Sequence, residues 1–279
     1  MKTSSKINLA KFLYYFLNFF YSKKNILVRR NSINWELDIS EGIDLSIYLF
    51  GSFQKKVTKF ICNYILEKKF LYKNGFSIID IGSNIGDKSL SIASTLLKKN
   101  YKNFKILSLE PTDYAYHKQK KNIDLNPTLK KKILSFKYYV SDNKSKPQEA
   151  YSSWKLNSKK KSHKIHRGYM KKISNITKTI SVDSFIKKNN IQNKIILKID
   201  VDGTEMNVLK SCKETLKKKD VLILMEFAPY TMFEAGFDKN EFNKFLLKYN
   251  YTVFSLDLKK LNTVNVQYDQ SIDIVLVKQ

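Results

Sequence analysis

The sequence predicts an α/β fold, a mostly parallel sheet of seven strands with helices on both faces, preceded by an N-terminal extension. Three observations lead there. The run Phe76-Ser-Ile-Ile-Asp80-Ile81 is short, β-branched and apolar on both faces, as in a strand buried between two helical layers. It enters the glycine-punctuated turn Gly82-Ser-Asn84-Ile-Gly86-Asp87 and then Leu90, Ile92, Ala93, Leu96 and Leu97, apolar positions at mostly helical spacing. Further apolar runs follow at 104–109, 133–140, 194–201, 221–225, 251–256 and 272–277, most of them separated by helical patterns, the alternation of a parallel sheet.

Composition bounds the function. With 279 residues and 43% hydrophobic content, the chain is globular and long enough for one large domain or two small ones. Its formal charge of +26 first suggests a nucleic-acid or anionic-membrane partner. Only Arg29, Arg30 and Arg167 are arginines, whereas a nucleic-acid reader uses arginine for bidentate contacts to phosphates and bases. The lysine excess therefore reads as a bias spread over the surface, and nucleic acid is not the expected partner. Cys62 and Cys212 show no C-x-x-C or zinc spacing and fit a reducing compartment. His163-x-x-His166 has no third ligand nearby, so no metal site is expected.

Residues 1–30 form a first segment. Leu9 to Tyr21 is apolar and aromatic, interrupted by Lys11 and Asn18 and flanked by Lys2, Lys6, Lys23, Lys24, Arg29 and Arg30. It is too short for a span of about 20 apolar residues and has no small-residue cleavage site after it. Two readings fit: a helix lying in a membrane interface, or one docked on its own domain or on a second copy. Residues 31–75 form an N-terminal cap region. Ile33, Trp35, Leu37 and Ile39 alternate, and the stretch to Phe53 reads as one or two strands and a turn. Val57, Phe60, Ile61, Tyr64 and Ile65, at i, i+3, i+4, i+7 and i+8, predict an amphipathic helix, broken by Lys73, Asn74 and Gly75. Residues 76–279 form the main domain.

The turn after Asp80 reads as a cofactor cradle. Gly82 and Gly86 allow positive φ and close approach of a ligand to the backbone, at a helix N-terminus with free N–H groups. A dinucleotide fold would show G-x-G-x-x-G, with room for a pyrophosphate. Here the spacing is Asp-x-Gly-x-x-x-Gly, with Ser83 and Asn84 between the glycines. This resembles the first motif of class I methyltransferases, whose ligand S-adenosylmethionine has no phosphate and carries a positive sulfonium that Asp80 suits. Glu110, ending the second strand before Pro111, lies where an adenosine ribose would, with two oxygens for its two hydroxyls. A helix from Asp113 to about Leu125 is stopped by Asn126-Pro127. The third strand then ends in Ser141-Asp142, a polar pair that either reaches an adenine amino group or simply turns the chain.

Residues 143–176 are a lysine-rich insertion and the least periodic part of the chain. They are expected to cover the edge of the site, with a hairpin containing Tyr151 and Trp154. A strand at 177–182 leads into a short helix. In the fourth strand, Ile195-Ile-Leu-Lys198-Ile-Asp200, residues two apart share a face, so Lys198 and Asp200 point the same way. A lysine in a buried strand is costly without such a partner, and groups perturbed in this way cluster at functional sites. Asp202 and Glu205 have the spacing of a capping box for the helix through Met206, Val208 and Leu209, a role compatible with substrate contact. Glu226 follows the fifth strand. A helix at 238–249 and two closing strands end the chain.

Together, Ile-Asp80-Ile-Gly-Ser-Asn84-Ile-Gly86, Leu-Glu110-Pro, Ser181-Val-Asp183-Ser-Phe and Leu-Lys198-Ile-Asp200-Val-Asp202-Gly203-Thr-Glu205 with Val208-Leu-Lys-Ser resemble the FkbM-type methyltransferases. The resemblance runs from about Ile33 to Phe227, and Tyr48 to Phe53 is similar to the family's N-terminal Gly-x-Phe region. Asp202 stands where the family more often has Glu, and Gln54 where an acid commonly follows the aromatic. The resemblance implies a Rossmann-like class I methyltransferase fold, S-adenosylmethionine as cofactor, and O-methylation of a sugar, polysaccharide precursor or natural product. On this reading Asp200 is the base or orienting group, Lys198 holds it and Glu226 stands in reserve. Asp80, Gly82, Ser83, Asn84, Gly86, Glu110, Ser141 and Asp142 bind cofactor, and Asp202 and Glu205 meet substrate. The expected location is cytoplasmic, with residues 1–30 as a peripheral contact to the inner face of an anionic membrane. Two alternatives differ in behaviour: a nucleic-acid methyltransferase using the basic surface would bind with a steep salt dependence, and a non-catalytic module retaining the fold would bind cofactor weakly or not at all.

Overall fold

The computed structural model describes residues 9–16, 25–142, 146–158, 168–217 and 221–279. Helix α1 (residues 9–16) is followed by the hairpin β1 (Asn25–Arg30) and β2 (Ile33–Asp38), then by α2 (Gly42–Phe50) and α3 (Lys55–Lys68). Next come β3 (Phe76–Ile81), α4 (Asp87–Lys98), β4 (Phe104–Leu109), α5 (Asp113–Asp124), α6 (Pro127–Lys130) and β5 (Ile133–Phe136). Four short strands follow: β6 (Tyr138–Val140), β7 (Glu149–Ser153), β8 (Tyr169–Lys172) and β9 (Lys178–Ile180). The remainder is α7 (Val182–Lys188), β10 (Lys194–Ile199), α8 (Glu205–Lys210), α9 (Lys213–Lys217), β11 (Val221–Phe227), α10 (Pro229–Glu234), α11 (Lys239–Lys248), β12 (Tyr251–Ser255) and β13 (Ile272–Lys278).

The expected seven-stranded sheet is present, in the order β12-β13-β11-β10-β3-β4-β5, and within it only β13 runs antiparallel to its neighbours. From β3 the chain moves outward through β4 and β5, then returns to β10 on the other side and moves outward again. Such a reversal leaves a crevice beyond the carboxyl ends of β3 and β10, where open α/β sheets bind ligands. Period-two alternation divides the core between the two faces. Ile79, Ile81, Leu107, Leu197 and Ile223 join one apolar cluster, whereas Ile78, Ile106, Ile196, Leu222 and Leu224 join the other with α3 and α4.

The N-terminal hairpin packs on that second face through Ile33, Trp35 and Leu37. Its β2 backbone is satisfied by side-chain amides of Asn122 in α5 and of Asn126, the residue before α6. Asn126 accepts from Asn34 N (2.9 Å) and donates to Asn34 O (2.7 Å), and Asn122 accepts from Glu36 N (2.9 Å).

Four expectations need correction. The stretch from Ile33 to Phe53 is a strand followed by helix α2, because Leu45, Tyr48 and Leu49 recur at helical spacing and Gly51 ends the helix with φ +76°. The third strand breaks at Lys137, and its second half leaves the sheet to pair in parallel with β9. Asp202 is not an N-cap: it takes φ +50°, and α8 begins two residues later than expected, with Thr204 at its cap. Helix α10, between β11 and α11, was not expected at all. His163, His166 and the lysines at 159–161 and 164 lie outside the described residues. Among the described residues, no helix is long and apolar enough to cross a membrane.

Candidate active site

The site begins with a polar row across a buried sheet. Lys198 sits in register beside Asp80, and Asp80 beside Ser108. All three are buried, Asp80 completely and Lys198 with 4% exposure. The Lys198 ammonium lies 3.2 Å from Asp80 Oδ1 and 3.4 Å from Asp200 Oδ2, and it donates to the Gly82 carbonyl at 3.2 Å. The other oxygen of Asp80 accepts from Ser89 Oγ at 2.6 Å, and Ser89 in turn meets Ser108. Burial alone would lower the pKa of Lys198, but Asp80 and Asp200 outweigh it and raise it. Lys198 is therefore a permanent cation that joins the strand under the turn to the strand bearing Asp200.

The turn itself needs glycine at 82. Gly82 has φ +74°, and a Cβ there would stand 1.8 Å from the Asp200 carbonyl oxygen, so the ends of β3 and β10 meet only because this side chain is missing. Asn84, also left-handed at φ +47°, turns its N–H onto Glu110 Oε2 at 3.0 Å. Glu110 Oε1 accepts from Thr112 N (3.1 Å) and Thr112 Oγ1 (2.6 Å). Burial raises the Glu110 pKa, and the bonds from Thr112 and Asn84 offset part of that rise. Three donors on a group with about four lone-pair sites leave it room for a ligand.

Beyond the turn lies one cavity of about 500 Å³, within the usual range for a ligand pocket. One half is walled by the ends of β3 and β4 and by Tyr139 and Val140 of β6; the other carries Asp200, Asp202, Glu226, Thr231 and Glu234. Single oxygens of Asp200, Asp202 and Glu226 lie within 4.8 Å of one another. That is the hard-oxygen chemistry a divalent cation takes, and it is equally a place where carboxyls share protons. Burial first, then the neighbouring Asp200, raises the pKa of both Asp202 and Glu226 well above the ordinary carboxyl range.

Two further elements line the cavity. Phe53 and Gln54 line it, held by Lys88, a buried lysine of the first turn of α4 that bonds Asp87 and the Phe53 carbonyl. Opposite, the β7–β8 hairpin contributes Tyr151, Ser152 and Trp154, and Trp154 meets the Phe53 ring edge-on with centroids 6.4 Å apart. The hairpin is tied down at two places. Ser152 Oγ lies 2.8 Å from Thr112 Oγ1, next to Glu110. Glu41, buried at 3% exposure, accepts from Ser153 Oγ and from Trp154 N, each at 2.8 Å. Sequence reasoning does not single out Glu41 or Lys88: each stands among other polar and charged residues, Asp38 and Asp44 near the first and Asp87 and Ser89 beside the second.

With this geometry, a sequence model of the methyltransferase FkbM domain matches residues 80–253, more than half of the chain. The chain belongs to this family. It is an S-adenosylmethionine-dependent methyltransferase. No curated protein matches it. Among solved structures, it is similar to methyltransferase FkbM from Methylobacillus flagellatus KT (13% identity, 72% of this chain and 43% of that one, TM-score 0.41). It is also similar to a TehB-like SAM-dependent methyltransferase from Corynebacterium glutamicum (11%, 84% and 94%, 0.41). A third is magnesium protoporphyrin IX methyltransferase from Synechocystis PCC 6803 with bound SAM (10%, 80% and 79%, 0.42).

The residues of this FkbM methyltransferase fit that cofactor. Among the described residues only two cations line the cavity, and Lys88 and Lys198 are both committed to carboxylates, as suits a ligand without phosphate. Gly82, Ser83, Asn84 and Glu110 reach the cavity wall. Asp80 and Gly86 do not: Asp80 lies beneath, holding Lys198 and Ser89, and Gly86 starts α4 against Gln119. Ser141 and Asp142 are not brought to this cavity, because β6 swings toward β9 and carries them to a separate groove with Lys146 and Thr177. Glu205 also turns away. It folds back to accept from Gly203 N (3.1 and 3.0 Å) and Val201 N (3.3 Å), stabilising the turn that presents Asp202, and burial raises its pKa to about 7.

Proposed function

We propose that the protein methylates a hydroxyl of a polyhydroxylated acceptor, a sugar or a glycan precursor. The observation that carries this reading is the make-up of the acceptor half of the cavity. The clustered carboxyls of Asp200, Asp202 and Glu226 share the cavity wall with Phe53, Tyr151 and Trp154. Carboxylates with two oxygens accept from hydroxyls, and aromatic faces cover the apolar C–H surface of a ring. The same half is acidic inside a chain of charge +26, which disfavours a phosphate backbone at the reacting end. The net positive charge of the chain is the feature that favours a nucleic-acid acceptor.

Bound S-adenosylmethionine supplies an already activated methyl group. The chain's part is to align the acceptor oxygen and take its proton. Asp200 is the group proposed for that step, since it is the carboxylate of the three in contact with a cation, Lys198 at 3.4 Å. With their raised pKa values, Asp202 and Glu226 hold protons to higher pH and can donate to neighbouring acceptor oxygens. Transfer of labelled methyl to a panel of neutral glycans, with RNA as comparison, tests the reading. Glycan labelling that falls at least about a hundredfold in Asp200→Asn, with S-adenosylhomocysteine binding intact, supports it. Labelling of RNA alone, or an active Asp200→Asn, overturns it.

A further inference from the structure

Helix α1 has two unlike faces. Tyr14, 5% exposed, packs with Ile39, Leu45 and Leu156, and its hydroxyl accepts from Asn157 Nδ2 at 3.0 Å. This fixes the helix to the fold. On the opposite side Leu9, Phe12 and Phe16, at i, i+3 and i+7, form one stripe and stand exposed, Phe12 at 68% and Phe16 at 58%; Tyr15 flanks them. Tyr14 and Ala10 hold the helix to the fold while Leu9 and Phe12, on the other side, stand exposed.

The charge around it names that surface. Residues 1–30 contain seven lysines and arginines and no acid. We infer that α1 is an interfacial helix that seats the protein on an anionic lipid bilayer, with Leu9, Phe12 and Phe16 entering the headgroup boundary and the flanking cations meeting the lipid phosphates. The docking contacts give this a consequence for the site. Leu156 and Asn157, which hold Tyr14, follow Trp154 of the cavity wall by two and three residues, so the helix is anchored to the segment that leaves the cavity. The inference goes beyond the methyl-transfer reading and does not depend on it.

Sedimentation of the full chain with vesicles is the test. One set is phosphatidylcholine alone and the other an equal mixture of phosphatidylcholine and phosphatidylglycerol. The double variant Phe12→Ser with Phe16→Ser keeps every charge and alters only exposed positions. The expected result is binding to the mixed vesicles alone, weakened at least about tenfold by high salt and at least about tenfold by the double variant. No vesicle binding, or binding that the double variant leaves unchanged, overturns the inference. Light scattering on the same samples covers the remaining occupant: a dimer that the variant dissolves, without vesicle binding, means a second copy covers this face and also overturns it.

Discussion

Lys198 lies 3.2 Å from Asp80 on the neighbouring strand, and the same ammonium is 3.4 Å from Asp200 on its own strand. One buried cation thus compensates both the acid beneath the cofactor turn and the acid proposed as base. Replacing it with methionine keeps the volume and leaves two carboxylates unpaired. Lys198→Met is expected to lose about 3–5 kcal/mol in urea unfolding, and adding Asp80→Asn should recover part of that loss.

Asp273 faces Glu226 across the β11–β13 pair, like charge opposite like. Burial first, then Asp200, raises its pKa from 3.8 to about 6. Between those values the native state binds more protons than the unfolded one, so its contribution is full below about pH 4 and is lost as pH rises through about 6. Asp273→Asn should therefore match the parent near the low end and be more stable above neutrality. The full linkage is roughly 3 kcal/mol; partial exposure of the residue reduces the expected gain to about 1–2 kcal/mol. Thermal or urea midpoints across pH measure it.

Gly82→Ala tests the turn. The added methyl meets the Asp200 carbonyl oxygen at 1.8 Å and the backbone stays at φ +74°, so relief requires moving the end of β10. A loss of at least about 3 kcal/mol is expected, from steric contact added to left-handed strain. A near-neutral result would mean the β3–β10 joint is looser than described.

The parts of this architecture written in local pattern were legible in the sequence. The sheet strands announce themselves because burial on both faces demands continuous apolar runs, and Asp80, Glu110 and Asp200 stand at their ends. Lys198 was readable for the opposite reason, as a charge where none is affordable alone. What escaped depends on contacts distant in sequence. An unbroken third strand would carry Ser141 and Asp142 to the cofactor; the break at Lys137 takes them elsewhere. The Asp-x-x-Glu spacing predicts a capping box with Glu205 at its third position, yet its carboxylate serves the turn behind it. Glu41 meets Trp154 only after more than a hundred intervening residues have folded, and no periodicity encodes that.

Glu41 offers its own check. Glu41→Ala removes the acceptor for Ser153 Oγ and Trp154 N in a buried position, a local cost of about 1–3 kcal/mol. Hydrogen exchange of the amides at 149–154 should speed by roughly ten- to a hundredfold, while exchange in β3 and β10 stays unchanged. Uniform acceleration of both regions would show that Glu41 supports the whole fold rather than the hairpin.

Calorimetric titration with S-adenosylhomocysteine tests the central claim most directly, on the parent and on Glu110→Gln, with the thermal midpoint as a control for folding. One-site binding is predicted for the parent, weakened at least about tenfold in the variant, since a charge-assisted bond contributes about 1.5–3 kcal/mol. No binding to the parent, or equal binding to a folded variant, would contradict the account.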